Sequence, residues 1–479
     1  MAFIEQGTLE QLDHVKWHLL ASIAVIYAIY TVRPSRELGG RVSLSTTDVS
    51  ALQILHVKFF SPTARVPGSL LDKISTIRFA IKGLTGRKMY FVEEQLDKYG
   101  PLVEVAPNKV ACSDPEAIKT VFGSHEWRKS RFYSDFADFQ DTSSLFSETG
   151  PKRAQILRKA FLPAFSRANL VAMSKNILLH LEKFLHKLDE FDQKGEPVDT
   201  YRWFRYLTFE VLTPQTADIG FGVDYDMITH GEIDHPFVKD FDDATSWGIL
   251  RLFLGSVVYA IPKSWYPKSF QHWMEAQDRT ETHARGGLEK WRTQKSQGQV
   301  GHRVDILQRL IDHGDKYPDE KLSEMELVTE IMEIMLAGGD TTASTVTYAC
   351  YELTRFPEVQ DKLRAALREA IPDPTAPIKL EVLEGIPYLD WTVKEMLRMH
   401  PTLPSTLERV VPPKGAEIAG YKLKGGTIVC MAAFIQHQRE EVFPHPELFQ
   451  PERWEKETDQ MRLNMLAFST GPRSCVGQK

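Results

Sequence analysis

Between Phe468 and Gly477 the chain reads Phe-Ser-Thr-Gly-Pro-Arg-Ser-Cys-Val-Gly, and no other stretch restricts the fold so tightly. Glycines on both sides of an arginine and a cysteine describe a tight loop of small residues, which lets backbone and sulfur come close to something flat and bulky. A thiolate at that point is a metal ligand, whereas a lone cysteine elsewhere is more often an inert, buried hydrophobe. Cys112, Cys350 and Cys430 are widely spaced and form no CxxC pair. Neither a disulfide framework nor a zinc site is indicated, and a reducing compartment suits the chain.

No interior Gly/Ser-rich or charged linker divides the 479 residues, so one large domain is expected behind an N-terminal segment. A net charge of −6 is no footprint for nucleic acid. From Trp17 to Val32 the chain is apolar except at His18, Ser22 and Thr31. That is short of the roughly 20 residues that cross a bilayer squarely, but aromatic residues stand where interface anchors belong. Glu5, Glu10 and Asp13 precede the segment and Arg33 and Arg36 follow it, the reverse of a signal peptide. The same asymmetry places the body on the cytoplasmic side of a single-pass anchor. Domain limits of 1–33 for the luminal tip and anchor, 34–61 for a linker and 62–479 for the catalytic body follow, and the polar run over 34–55 reads as a loose tether.

Lys88 to Tyr99 is an amphipathic run stopped by Gly100-Pro101, and Leu102 to Ser113 alternates about a turn at Pro107-Asn108, as a hairpin does. Pro151 to Phe165 opens a basic helix whose charges include Arg158. Asn169 to Gly314 reads as mostly helical, with a turn-rich aromatic stretch from Gly220 to Tyr266. Ser323 and Glu326 form a capping box ahead of a long helix that ends before Pro357. Inside it stands Ala337-Gly338-Gly339-Asp340-Thr341-Thr342. Two adjacent glycines cost a helix interior about 1 kcal/mol each relative to alanine. Either a neighbouring helix crosses closely there, or a bound molecule presses on the backbone beside Asp340 and Thr341.

Glu395 and Arg398 fall three apart on a helix from about Tyr388 to His400, and Phe449-Gln450-Pro451-Glu452-Arg453-Trp454 follows before the cysteine loop. Arg409 to Cys430 contains short strand-like pieces broken by Pro412-Pro413 and Gly425-Gly426.

These four motifs, in this order, resemble the cytochrome P-450 family. The loop fits F-x-x-G-x-R-x-C-x-G at every fixed position, the helix carries [AG]-G-x-[DE]-T, and the E-x-x-R and F-x-P-E-R-W strings stand at the expected places. The resemblance implies a mainly α fold with a small β subdomain and haem b as cofactor. Cys475 is then the axial thiolate, with Phe468 near the sulfur. Arg473, Arg409 and Arg158 face the propionates, although the aromatic or histidine often found four residues before the last is Ala154 here. Ala337 and Gly338 lie in a helix opened over the distal face. Thr341 hydrogen-bonds bound dioxygen and Asp340 relays protons, while Glu395, Arg398 and Arg453 form a buried ionic cluster.

The implied reaction inserts one oxygen atom from O2 into a small lipophilic substrate. Electrons come from NADPH through cytochrome P-450 reductase, with cytochrome b5 as a further donor, at the endoplasmic reticulum membrane. Fungal members that tailor secondary metabolites are the nearest in wording. Two departures stand out. The run over 34–55 reads as an insertion, and the sequence stops at Lys479, where the family continues with a helix and a terminal sheet. The expectation is therefore a truncated chain that holds haem poorly, with a haem-thiolate isomerase or dehydratase as the other alternative. Retention of Asp340-Thr341 favours the monooxygenase.

Overall fold

The computed structural model describes residues 55, 57, 59–137, 139–212, 225–231, 235–254, 258, 261–298, 305–373 and 378–478. The expected anchor from Trp17 to Val32 lies outside them, as does nearly all of the polar run that follows. Among the described residues no helix is long and apolar enough to cross a membrane.

Helix α1 (Lys88–Tyr99) ends at Gly100, whose φ of 100° suits glycine. Strands β1 (Leu102–Ala106) and β2 (Lys109–Cys112) then pair antiparallel about Asn108, at φ 58°. Asp114 caps α2 (Pro115–Phe122) by accepting from the Glu116 amide. A two-residue strand β3 (Arg128–Lys129) leads into α3 (Arg131–Ala137).

The helical layer follows, with α4 (Pro151–Phe161), α5 (Arg167–Lys194), α6 (Thr200–Leu212), α7 (Pro236–Leu254), α8 (Ala276–Ser296) and α9 (Ile306–Lys316). Helix α7 corrects the turn-rich reading of its stretch. Pro236 at its first position and Phe237, Val238, Phe241 and Trp247 on its buried side make it a regular core helix. The capping box at Ser323 and Glu326 opens α10 (Glu324–Arg355), which runs unbroken for 32 residues. Its apolar side, Val328, Ile331 and Met335, packs with Trp203, Phe209, Phe237 and Trp291 in the main core. Each such side chain contributes about 1.5–3 kcal/mol on burial.

After α11 (Pro387–Met399) come β4 (Thr406–Val410), the hairpin pair β5 (Ala416–Ile418) and β6 (Tyr421–Leu423), and β7 (Ile428–Ala432). The main sheet has the order β1-β2-β7-β4-β3, with β2 and β7 parallel and the other pairs antiparallel. Its core gathers Leu102, Val110, Phe122, Trp127, Val429 and, from the start of the cysteine loop, Leu466. A mainly helical body with a small β region, here one five-stranded sheet and one two-stranded hairpin, is what the sequence led us to expect.

Candidate haem-thiolate site

The cysteine loop is shaped by backbone. Gly471 adopts φ 71°, and a Cβ there would lie 2.0 Å from the Phe122 carbonyl at the end of α2, so only glycine fits. Ser469 is also left-handed, at φ 56°. The Cys475 amide then donates to the Phe468 carbonyl at 2.9 Å, closing the loop. Cys475 is exposed as a residue, yet protein crowds it enough for desolvation to raise its thiol pKa, against the pull of the Gly477 amide, Arg158 and Lys129. Both facts fit a sulfur that looks into a recess rather than out to bulk water.

Four cations converge on that recess. Arg158 from α4 donates to the carbonyl and hydroxyl of Ser474, the residue before the cysteine. Arg473 donates to the Glu148 carbonyl at 2.7 Å, and its Nη1 is buried without a hydrogen-bond partner. Arg409, 2% exposed, donates to its neighbour's carbonyl at 2.9 Å and stacks 4.9 Å over the Phe122 ring. Directly across the ladder from Arg409 stands Lys129, a pairing of like charges that a sheet disfavours. Burial drives the Lys129 amine well below the ordinary lysine range, and Arg409 and Arg473 push it further. Burial, then Arg409, lowers Arg473 to about 10. Among the described residues none of the four has a carboxylate within ion-pair distance. Buried at Lys129 and Arg409, half-buried at Arg158 and Arg473, and partly unsatisfied at Arg473, they fit a ligand that brings at least two negative charges. The two propionates of haem are such a ligand, and the thiol beside them is the donor an iron needs.

The loop is held from behind by the expected ionic cluster. Arg398 grips Glu395 with two hydrogen bonds, of 2.9 and 2.8 Å, and Arg453 Nε donates to the same carboxylate at 2.9 Å. Trp454, which the sequence reading had not assigned, adds Nε1 at 2.9 Å. Glu395 and Arg398 are completely buried.

On α10 the two glycines serve a helix crossing. A Cβ on Gly339 would lie 2.7 Å from Cε1 of Phe209, and one on Gly338 2.8 Å from Cδ1 of Leu212, both on α6. The helix is not opened at this point, as the resemblance had implied. It continues regularly, and the Thr341 hydroxyl donates to the Ala337 carbonyl one turn back. Asp340 points toward α6, where it accepts from Arg205 Nε at 2.8 Å. The Arg205 guanidinium also donates to both oxygens of Asp242 on α7, at 3.0 and 2.6 Å. Burial raises the Asp340 carboxyl, and Arg205 pulls it back. Neither Arg205 nor Asp242 lies in a motif. Their contact with Asp340 joins three helices far apart in sequence, and no local pattern carries it.

A family model described as cytochrome P450, written here P-450, matches residues 79–479. The chain belongs to the cytochrome P-450 family. The family's cofactor is haem with a thiolate-ligated iron, and its members oxidise lipophilic substrates with electrons from a redox partner. Three fungal members are similar to this P-450 over most of their length. Cytochrome P-450 monooxygenase ABA2 of Pyricularia oryzae is 28% identical over 92% of this chain and 85% of its own. Benzoate 4-monooxygenase bphA of Aspergillus niger is 28% identical over 86% and 83%. Tryprostatin B 6-hydroxylase of Aspergillus fumigatus is 24% identical over 97% and 82%.

Proposed function

We propose that this P-450 is a haem-thiolate monooxygenase acting on a small lipophilic substrate in fungal secondary metabolism, supplied with electrons by NADPH-cytochrome P-450 reductase at the endoplasmic reticulum. The observation that carries the reading is the set of four cations without carboxylate partners, Lys129, Arg158, Arg409 and Arg473, gathered beside the Cys475 thiol. In it Cys475 would hold the iron, and Arg158, Arg409 and Arg473 would hold the propionates. A metal removes the proton that burial would otherwise keep on the sulfur.

Bound haem supplies the activation of dioxygen, which the thiolate favours by pushing electron density toward the iron. The protein supplies position and protons. Thr341 Oγ1 is kept in place by the Ala337 carbonyl and presents its hydroxyl beside that exposed turn of α10. Asp340 carries a proton between the Arg205–Asp242 pair and the interior, because Arg205 can satisfy itself on Asp242 when it releases Asp340. Successive helical residues do not face one another, so water is needed between Asp340 and Thr341.

Cys475→Ser tests the reading directly. Loss of the red-shifted band of the reduced, carbon monoxide-treated protein, with haem still bound, is the expected result. Retention of that band would exclude Cys475 as the ligand. Thr341→Ala is expected to keep haem while electron consumption outruns product, since it removes a proton donor and little packing.

A further inference from the structure

A small cavity of about 60 Å³ lies between α3, α7, α8 and α10, on the side of α10 one turn before Ala337. A water-sized site needs about 10–15 Å³ on this measure and a cavity that binds benzene is about 150 Å³, so the space takes the small end of a molecule rather than a whole one. Its walls are apolar at Phe136, Phe139, Phe241, Met332 and Leu336, and among the described residues Glu333 is the only ionisable group lining it. Glu333 and Ala337 stand four apart on the helix and share one face.

A carboxyl in such a lining is costly unless something answers it. Among the described residues no cation lies within ion-pair distance of Glu333. Ser144 is its hydrogen-bond partner, and Lys129 acts on it only at longer range. The Lys129 amine is committed elsewhere. It donates to the Phe146 carbonyl and sits 4.6 and 4.8 Å from the centres of the Tyr133 and Phe146 rings. The elements across the cavity offer Phe136 from α3, Phe241 and Thr245 from α7, and Gln277 and Thr280 from α8, none of them titratable. On α10 itself the charged neighbours are Glu330 and, through it, Glu326.

We propose that Glu333 determines specificity in this pocket, which takes a small apolar group bearing a positively charged nitrogen and disfavours one bearing a carboxylate. This rests on the monooxygenase reading only for the statement that the pocket serves the reaction; the charge preference stands on the cavity alone. Burial lifts the Glu333 carboxyl to about 7, partly offset by Lys129 and Ser144. Its negative charge, and with it the preference for a cation, therefore grows as pH rises through neutrality and fades below it.

The test uses the haem-loaded protein and three probes: phenyltrimethylammonium, its neutral isostere tert-butylbenzene, and the smaller, planar anion benzoate. The quaternary nitrogen has no lone pair and cannot ligate iron. Binding is measured by calorimetry, and the haem spectrum is recorded in parallel. At pH 8 the cation is expected to bind at least tenfold tighter than benzoate, with the ratio falling several-fold at pH 6. Glu333→Gln is expected to erase both the ratio and its pH dependence, while tert-butylbenzene binds as before. An equal ratio in wild type and Glu333→Gln, tighter benzoate at pH 8, or no calorimetric binding of the cation would overturn the proposal. Should the variant fail to load haem, the two-pH comparison in wild type decides alone. A cation preference without any change in the haem spectrum would uphold the role of Glu333 and refute the placement of this pocket at the reaction site.

Discussion

The backbone amide of Leu466 donates to Nε2 of His437 at 2.9 Å, and this single bond ties the entrance of the cysteine loop to the buried ionic cluster. Nδ1 of the same ring donates to the Arg398 carbonyl at 2.9 Å, and Arg398 Nη1 returns a bond to the His437 carbonyl at 3.0 Å. The imidazole is wholly buried, and its two partners fix it as the neutral tautomer protonated at Nδ1.

His437→Asn keeps a donor near Nδ1 and removes the acceptor at Nε2. The buried Leu466 amide then loses its partner, which costs about 1–3 kcal/mol. We expect the haem-loaded variant to show a larger share of the reduced carbon monoxide complex in its unshifted form, because the loop that aims the sulfur is loosened. An unaltered band ratio with a lowered melting temperature would assign His437 to general stability alone.

Acid should weaken the protein through the same residue. Burial lowers His437 from 6.5 to about 3, the Arg398 carbonyl opposing this and the Arg398 charge assisting it. Between those values the unfolded chain binds a proton that the folded chain does not, so stability falls as pH drops below 6.5. The slope from this one group is about 1.4 kcal/mol per pH unit. Buried carboxyls with raised values, Glu330 and Glu333 among them, contribute in the opposite direction. Denaturant unfolding at pH 5 and 7 isolates the term, since wild type and His437→Asn should differ less at pH 5. A constant difference would mean that His437 keeps an ordinary pKa.

The two glycines of α10 should respond unequally to alanine. At Gly339 the added methyl meets the ring of Phe209, which is fully buried and cannot turn away; at Gly338 it meets the end of a partly exposed leucine, Leu212. Overpacking of the first kind costs about 1–3 kcal/mol, and the helix propensity of alanine recovers about 1. Gly339→Ala is expected to lower the unfolding midpoint, whereas Gly338→Ala is expected to be near neutral. Equal effects would show that the crossing with α6 is not what demands glycine.

Arg205 is 7% exposed and serves two aspartates, so Arg205→Met should cost about 3 kcal/mol, the lower end for a broken buried pair, because Asp242 is half-exposed. Asp340→Asn should cost less and uncouple electron use from product. In the double variant the losses should fall short of the sum by at least about 1 kcal/mol, since the two residues touch. Strict additivity in urea unfolding would refute the coupling.

What the sequence made legible was local. The capping box of α10, the hairpin about Asn108, the stop at Gly100 and the glycine loop around Cys475 each lie within a few residues, where chain geometry alone decides. The cluster of Glu395, Arg398 and Arg453 was reached through the resemblance, and its fourth member, Trp454, stands inside the same string. The opposition of Lys129 and Arg409 depends on strand register across nearly 300 residues, and the triad of Arg205, Asp242 and Asp340 on three helix azimuths. Neither leaves a periodic trace. Helix α7 was missed for another reason, because glycines and aromatics on both sides hid a regular apolar face beginning at Pro236.

The contact between Gly471 and the end of α2 joins residues whose sequence separation spans most of the domain. Chains dominated by such long-range closures fold slowly, because loop entropy is spent before any contact rewards it. A ribosome delivers Phe122 long before Gly471, and the parallel pairing of β2 with β7 must wait equally long. The thiol is thus brought to its place only when the sheet closes over two distant ends of the chain.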